Sequence, residues 1–303
     1  MSTVDLVIPS YMRPDDLDRA LRFAAAQSTP FQRIIVVARR DDAPTLAVAR
    51  AHGLDPVIVD APGVLAAMAA GLVHATADIV AFSDDDAELS ATHCERLVEI
   101  FQSGTTIAGV GGPDALFDGA TPRPMKPAQR VGQLTSWGRL IGNHHRGSHV
   151  TCDVVALKGV NAAYRRELLR LPEGLRGDGA QPHFEVAIGT DLRSRGYRLI
   201  YTTSLVVTHR PAPRRGEDDR ATPSDGALFD SAYNLERSIP RQLMTRRLLY
   251  VTVAGDRNVP GLLRLLVATL QGDWSLWRRA RPSWLGTYQA WRERRQPMRF
   301  LGE

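Results

Sequence analysis

A-D-I-V-A-F-S-D-D-D-A-E-L, residues Ala77–Leu89, decides how the chain is read. Ile79-Val80-Ala81-Phe82 is a short apolar, partly β-branched run, the pattern of a buried strand. Asp84, Asp85 and Asp86 follow at once, and a helical pattern begins near Ser90 with Leu97, Val98, Ile100 and Phe101 on one side. Adjacent carboxylates repel one another unless something positive lies among them. In an open α/β sheet, ligands bind beyond the carboxyl ends of the strands. A hard divalent cation shared with phosphate oxygens suits that place. The competing reading is an acidic lead-in that favours the positive end of the next helix.

Outward from this stretch, strand and helix patterns alternate. Thr3–Ile8 reads as the first strand, ended by Pro9 and a polar turn through Arg13, with a helix carrying Leu17, Leu21 and Ala24. Ile34–Val37 and Pro56–Val59 read as strands, and Ala43–His52 and Val64–Ala75 as helices, Gly53 ending the first of them. The expected fold is therefore α/β, with a doubly wound, mostly parallel sheet. Tyr11, Arg13, Arg39, Asp42 and the Asp84–Asp86 triplet all follow strand ends, which share one edge of such a sheet, so one crevice can gather them. Glycine-rich phosphate loops of the dinucleotide and Walker types are absent, which argues against a Rossmann dehydrogenase and a P-loop enzyme.

The chain has 303 residues, 44% hydrophobic and 23% charged, enough for one large domain or two small ones. No signal peptide and no run of the ~18 apolar residues that spans a bilayer is read. Cys94 and Cys152 are the only cysteines, too few for a disulfide framework, so a cytoplasmic location is expected. The net charge of +5 is uneven: residues 241–303 hold twelve Arg against four acidic residues, or +8, leaving −3 elsewhere. In this tail Leu262, Leu263, Leu265, Leu266, Leu270, Trp274 and Trp277 are interleaved with Arg264, Arg278, Arg279 and Arg281. Two readings stay open: peripheral contact with an anionic membrane at its inner face, or helices packing on the rest of the protein.

From Val110 glycines and prolines suggest loops. His144, His145 and His149 match no compact zinc spacing and are read as part of a polar, substrate-facing loop. Asp153–Leu157 reads as a strand, Lys158–Leu169 as a glycine turn entering a helix, and Gln181–Glu185 as the approach to another helix. Arg198–Thr202 and Leu205–Thr208 are short strands leading to His209.

Four ordered motifs resemble family 2 glycosyltransferases of the GT-A fold. V-I-P-S-Y-M-R-P resembles the opening strand and nucleotide loop, and F-S-D-D-D-A the metal-binding DxD segment. K-G-V-N-A-A-Y-R-R-E-L-L resembles the acceptor-side segment, and F-E-V-A-I-G-T-D-L-R-S-R-G-Y-R-L the helix carrying the catalytic base. The resemblance covers the first ~215 residues. Two departures stand out. Ala38-Arg39-Arg40 replaces the Asp pair usual after the second strand, with Asp41 and Asp42 displaced later. Phe184-Glu185 replaces the usual Glu-Asp.

The resemblance implies an inverting enzyme that moves a sugar from a nucleotide-sugar donor to a hydroxyl acceptor, a carbohydrate or a lipid-linked molecule. It implies Mg²⁺ or Mn²⁺ held by Asp86, Asp84 and His209, and Glu185 as base. Donor binding falls to Pro9, Tyr11, Arg13, Arg39, Asp42, Asp84 and Asp85, and acceptor binding to Lys158, Asn161 and Arg165, with Arg166 beside it. The expected divisions are 1–115 for the nucleotide-sugar half, 116–215 for the acceptor half and 216–303 for a basic amphipathic helical extension. No nucleic-acid partner is expected. For individual residues plainer roles compete: His209 as a polar strand end, Glu185 as a helix-start carboxylate at the dipole, and Asn161, Arg165 and Arg166 as a solvated helix start. A sugar-1-phosphate nucleotidyltransferase and a non-catalytic basic binding protein are the alternatives. The first lacks its Gly-rich, Arg-containing loop here, and the second leaves the acidic triplet and Glu185 without a task.

Overall fold

The computed structural model describes residues 2–118, 121–147, 150–212 and 223–301. Numbered along the chain, the first half runs β1 (Val4–Ser10), α1 (Pro14–Ala25), β2 (Arg33–Arg39), α2 (Ala43–Ala51), β3 (Val57–Val59), α3 (Val64–His74), β4 (Ile79–Ser83), β5 (Ala87–Leu89), α4 (His93–Gln102), β6 (Ile107–Gly111), β7 (Asp114–Asp118) and β8 (Thr121–Pro122). There follow β9 (Gln133–Leu134), β10 (Leu140–Ile141), β11 (Cys152–Val154), β12 (Asn161–Arg165), β13 (Leu171–Pro172), α5 (Phe184–Ser194), β14 (Arg198–Tyr201) and β15 (Val207–His209). The chain ends in α6 (Asp225–Ser238), α7 (Met244–Val253), α8 (Leu262–Leu270), α9 (Ser275–Glu293) and β16 (Phe300–Leu301). It divides into two units. One comprises Met1–Gly132, Gly142–Leu169 and Asp191–Pro213, and the other Gln133–Ile141, Arg170–Thr190 and Arg214–Glu303.

The first unit is built on an eight-stranded sheet in the order β11-β14-β6-β12-β4-β1-β2-β3. β3, β2, β1 and β4 run parallel, β12 is antiparallel to both β4 and β6, β14 is parallel to β6, and β11 is antiparallel to β14. The expected mostly parallel sheet is thus present. β4 is buried along its whole length and β1 nearly so. That explains their continuous apolar runs, since a strand covered on both faces has no solvated side to alternate with. Leu17, Leu21, Leu97 and Phe101, from α1 and α4, join Leu6, Ile8, Ile79 and Ala81 in the core. Each fully buried Leu or Ile contributes ~1.5–3 kcal/mol. A smaller sheet, β5-β15-β7-β8, lies in the same unit, with β15 antiparallel to β5 and parallel to β7.

The segment read as a helix from Lys158 is instead the strand β12. Ala162, Ala163 and Tyr164 are all buried, and the segment fills the place between β4 and β6. Its helix-compatible composition yields to two ladders of backbone hydrogen bonds and the burial of a Tyr, a tertiary override of local propensity.

In the second unit α6 crosses α9 closely. A Cβ on Gly286 would stand 2.3 Å from the carbonyl oxygen of Phe229. Arg247 is fully buried, its Nε 2.8 Å from Glu236 and its Nη1 2.6 Å from Asp256. Asp256 in turn accepts from the backbone N–H groups of Asn258 and Val259, fixing the turn that precedes α8.

Candidate active site

The site begins at the carboxyl end of β4, where the chain reverses after Ser83 into β5. The turn separates the three carboxylates. Asp85 points inward, 3% exposed, accepting from Ser10 Oγ at 2.8 Å and Arg13 Nη1 at 3.1 Å. Burial pushes its pKa up to about 7 despite Arg13, with Asp86 adding to the rise. Asp86, 4% exposed, faces His209. Its Oδ2 accepts from the backbone N–H of Ala212 at 2.9 Å. Burial works against the Asp86 anion, yet His209, Ala212 and Arg13 hold its pKa below the usual carboxylate range. Asp84 is half-buried beside them.

His209 ends β15 and is 3% exposed. Its Nδ1 lies 3.1 Å from Asp114 and its Nε2 3.3 Å from Asp86. Burial alone would lower its pKa, but hydrogen bonds to Asp114 and Asp86 raise it to about 9. Asp114, fully buried at the start of β7, also takes the ammonium of Lys158. The backbone makes this convergence possible at Gly112. A Cβ there would stand 2.1 Å from the carbonyl oxygen of Leu205, so the segments before β7 and β15 touch backbone to backbone.

Asp84, Asp86 and His209 each offer a ligand atom within 4.8 Å of the others. Asp86 Oδ1 and His209 Nε2 are buried, face each other at 3.3 Å and make no hydrogen bond to any third group. A cation beside Asp84 would take both atoms as ligands, His209 Nε2 after giving up its proton. Two carboxylate oxygens and one imidazole nitrogen suit Mg²⁺ or Mn²⁺. The residues therefore fit the metal that the DxD resemblance implies. His144 is no part of this group: it is buried against the carbonyl of Ala156 at 2.9 Å, and burial lowers its pKa to about 4. His145 is exposed, and His149 lies outside the described residues.

Several expected residues meet at this edge. Met12 has φ +58°, a left-handed conformation that is unfavourable for a non-glycine residue. Its N–H is held by Asp42 at 2.5 Å. Asp42 is fully buried and its other oxygen caps α2 through Thr45 N at 3.2 Å. Both its oxygens are thus spent on backbone, and it shapes the loop instead of presenting a carboxylate to a ligand. Tyr11 is 46% exposed, with the Arg39 guanidinium 5.3 Å over its ring. Pro9 lies within β1, paired with Val37, instead of ending the strand.

The acceptor-side expectations change with β12. Antiparallel pairing sets Asn161 opposite Ser83 and Arg165 opposite Ile79. Four residues of strand carry Arg165 ~13 Å from the carboxylate edge. There it donates to the carbonyls of Ile107, Phe101 and Gly104 at 2.7–3.0 Å, closing the end of α4. Arg166 donates to Ala77 O at the same far edge. Both arginines thus stand at the edge of the sheet opposite the carboxylates. Asn161 is at the correct edge but 3% exposed, its amide donating to Leu205 O at 2.5 Å, so it builds the wall. Glu185 stands in the first turn of α5, half-buried, in the second unit.

Sequence reasoning missed Asp114 and Ser10. Asp114 follows the strand I-A-G-V-G, so the strand-end rule that selected Asp84–Asp86 applies to it, but Gly112-Pro113 gave it the look of a loop. Ser10 gave no signal beyond its place in the polar turn. Glu88 on β5, between Arg19 at 3.2 Å and Arg210 at 2.7 Å, was not foreseen either.

The sequence profile of glycosyl transferase family 2 matches residues 5–171, more than half the chain. No curated protein sequence matches. Among solved structures, the chain is similar to the mannosyltransferase PcManGT from Pyrobaculum calidifontis, in complex with GDP-Man and Mn²⁺. The TM-score is 0.54 at 17% identity, over 95% of this chain and 84% of that one. A mycobacterial protein gives 0.51 at 18% identity, over 81% and 74%. GalNAc-T7 with UDP, GalNAc and Mn²⁺ gives 0.59 at 14% identity, over 91% of this chain but 58% of the other. At such identities the likeness establishes the fold, which is of the GT-A type, and the family match supplies the activity class in place of a nucleotidyltransferase or a binding protein. The chain belongs to glycosyl transferase family 2 and is a glycosyltransferase.

Proposed function

We propose that this glycosyltransferase moves a sugar from a nucleoside-diphosphate sugar to an acceptor hydroxyl with inversion, using Mg²⁺ or Mn²⁺ held by Asp84, Asp86 and His209. The observation that carries this reading is the buried Asp86–His209 pair beside Asp84, whose three ligand atoms lie within 4.8 Å of one another. The nucleotide ligands and Mn²⁺ of the solved neighbours support it. A divalent cation there supplies Lewis-acid stabilisation of charge on the departing diphosphate.

The remaining roles fall to the chain. The exposed Tyr11 ring under Arg39 offers a face for the nucleoside, and Arg13 brings positive charge to the diphosphate side. Asp42, Asp85 and Pro9 serve donor binding by fixing the loop that carries Tyr11 and Arg13. Asp114 orients His209 through Nδ1, so that Nε2 faces Asp86. Lys158 lies on the acceptor side, its charge balanced by Asp114. Glu185 accepts the proton of the acceptor hydroxyl as that oxygen bonds to the anomeric carbon and the bond to the diphosphate oxygen breaks. One displacement inverts the anomeric configuration. The acceptor is a glycan or a lipid-linked molecule.

A panel of UDP-, GDP- and dTDP-sugars, with and without Mn²⁺, tests the reading. One donor should be turned over only with the cation, and Asp86→Ala should abolish turnover. Turnover undiminished in excess chelator would remove the metal from the mechanism. Proton NMR of the first product formed reports the anomeric configuration.

A further inference from the structure

We propose that α8 and the turn after it form a docking surface for an anionic lipid bilayer. α8 buries only Leu265 and Ala268. Its other apolar side chains face water: Leu262 is 57% exposed, Leu263 55%, Leu266 57%, Val267 51% and Leu270 79%. Positions 263, 266, 267 and 270 form one stripe along a helix. Trp274, 61% exposed, and Trp277, 43% exposed, extend it past the end of α8. Scattered exposed leucines need no explanation, but a contiguous stripe with two tryptophans marks an interaction site.

A cavity of about 380 Å³ adjoins the stripe, lined by Leu262, Leu265, Trp277 and Trp284, with Thr252 and Arg281 as its polar members. Charge selects the occupant. Arg246, Arg257, Arg264, Arg278, Arg279 and Arg281 are exposed in this region, against Asp273 as its one fully exposed acid among the described residues. Exposed apolar side chains interleaved along α8 and α9 with exposed arginines and two tryptophans match the layered chemistry of an anionic membrane interface. A second copy of this chain fits poorly, because an isologous contact would bring the same arginines face to face. The nine residues of α8 extend ~14 Å, and no helix among the described residues is long and apolar enough to cross a membrane. The helix therefore lies in the interface plane. The inference stands apart from the donor chemistry, since none of its residues belongs to the candidate active site.

The test uses the full chain and sucrose-loaded vesicles of phosphatidylcholine, with or without phosphatidylglycerol. The protein should sediment with anionic vesicles, bind neutral ones weakly, and release as salt rises. The combined variant L263Q/L266Q/L270Q should lose at least about tenfold in partitioning. R278Q/R279Q/R281Q should lose roughly fivefold per charge near the surface. These side chains are exposed, so melting temperature and circular dichroism should hold. Tryptophan quenching by brominated lipid gives a second measurement that needs no variant. Wild-type protein left in the supernatant with anionic vesicles and unquenched would overturn the proposal. So would binding by both variants as strong as that of the wild type, or a dimer in light scattering that the leucine substitutions dissolve while vesicle binding is absent.

Discussion

Metal binding should expel a proton from His209, and this fixes how affinity varies with pH. His209 is 3% exposed between Asp86 and Asp114. Its raised pKa of about 9 makes it an imidazolium in the free protein at neutral pH. Nδ1 is committed to Asp114, so Nε2 is the atom available to a cation, and it must be deprotonated to ligate. Two pH units below that pKa, losing the proton costs ~2.7 kcal/mol. Apparent affinity for Mn²⁺ should therefore tighten ~tenfold per pH unit between about pH 7 and pH 9, then level off. Asp85, pushed up to about 7, adds part of a second proton at the lower end.

The stability of the metal-free protein should move the other way. The His209 pKa is raised above its ordinary value of 6.5. Its contribution, of order 3 kcal/mol, is complete below that value and lost as pH rises through about 9. Calorimetric Mn²⁺ titrations in buffers of different ionisation enthalpy count the released proton directly, about one near neutral pH. Melting curves with and without Mn²⁺ at two pH values give the opposed slopes. A flat affinity profile with no proton release would refute the assignment of His209 as a ligand. His209→Gln should erase the pH slope while leaving the fold intact.

Glu185→Gln should leave donor affinity nearly unchanged and lower the transfer rate by ~10²–10⁴-fold; a folded variant with a near-normal rate would dismiss Glu185 as the base. Arg165→Ala should lower stability by ~1–3 kcal/mol, since buried carbonyls lose their donors. Its kcat should stay within a factor of two or so per folded molecule, as a residue one strand-length from the site requires; a rate collapse without destabilisation would return Arg165 to the active site. Gly112→Ala should destabilise by ~1–3 kcal/mol, the range for overpacking, and weaken Mn²⁺ binding by moving β15 and His209; unchanged melting and metal affinity would show that the backbone contact at Leu205 is not needed.

The parallel core was legible because its strands are covered on both faces. Ile79–Phe82 and Leu6–Ile8 are continuous apolar runs, and nothing local competes with that signal. The site's carboxyl edge was legible for the same reason: once a strand's direction is known, so is the end at which its following residues stand, and Arg13, Asp85 and Asp86 meet there. What failed was polarity. Lys158–Arg166 carries a glycine turn, two alanines and two arginines, a composition a helix accepts, and nothing in it states that it runs antiparallel between β4 and β6. As a helix start, the segment would present Asn161 and Arg165 one turn apart on one face. As a strand it separates them by the depth of the sheet, sending Asn161 to the site and Arg165 to the end of α4. Asp42 was read among the strand-end groups of one crevice, and the backbone it holds was not legible. The left-handed turn at Met12 and the start of α2 both needed an acceptor, and a buried carboxylate with two oxygens met both needs at once. A carboxylate near a site is therefore a ligand candidate only after the backbone donors around it have been counted: at Asp42 both oxygens are taken, whereas Asp86 gives only Oδ2 to Ala212 and turns Oδ1 to His209.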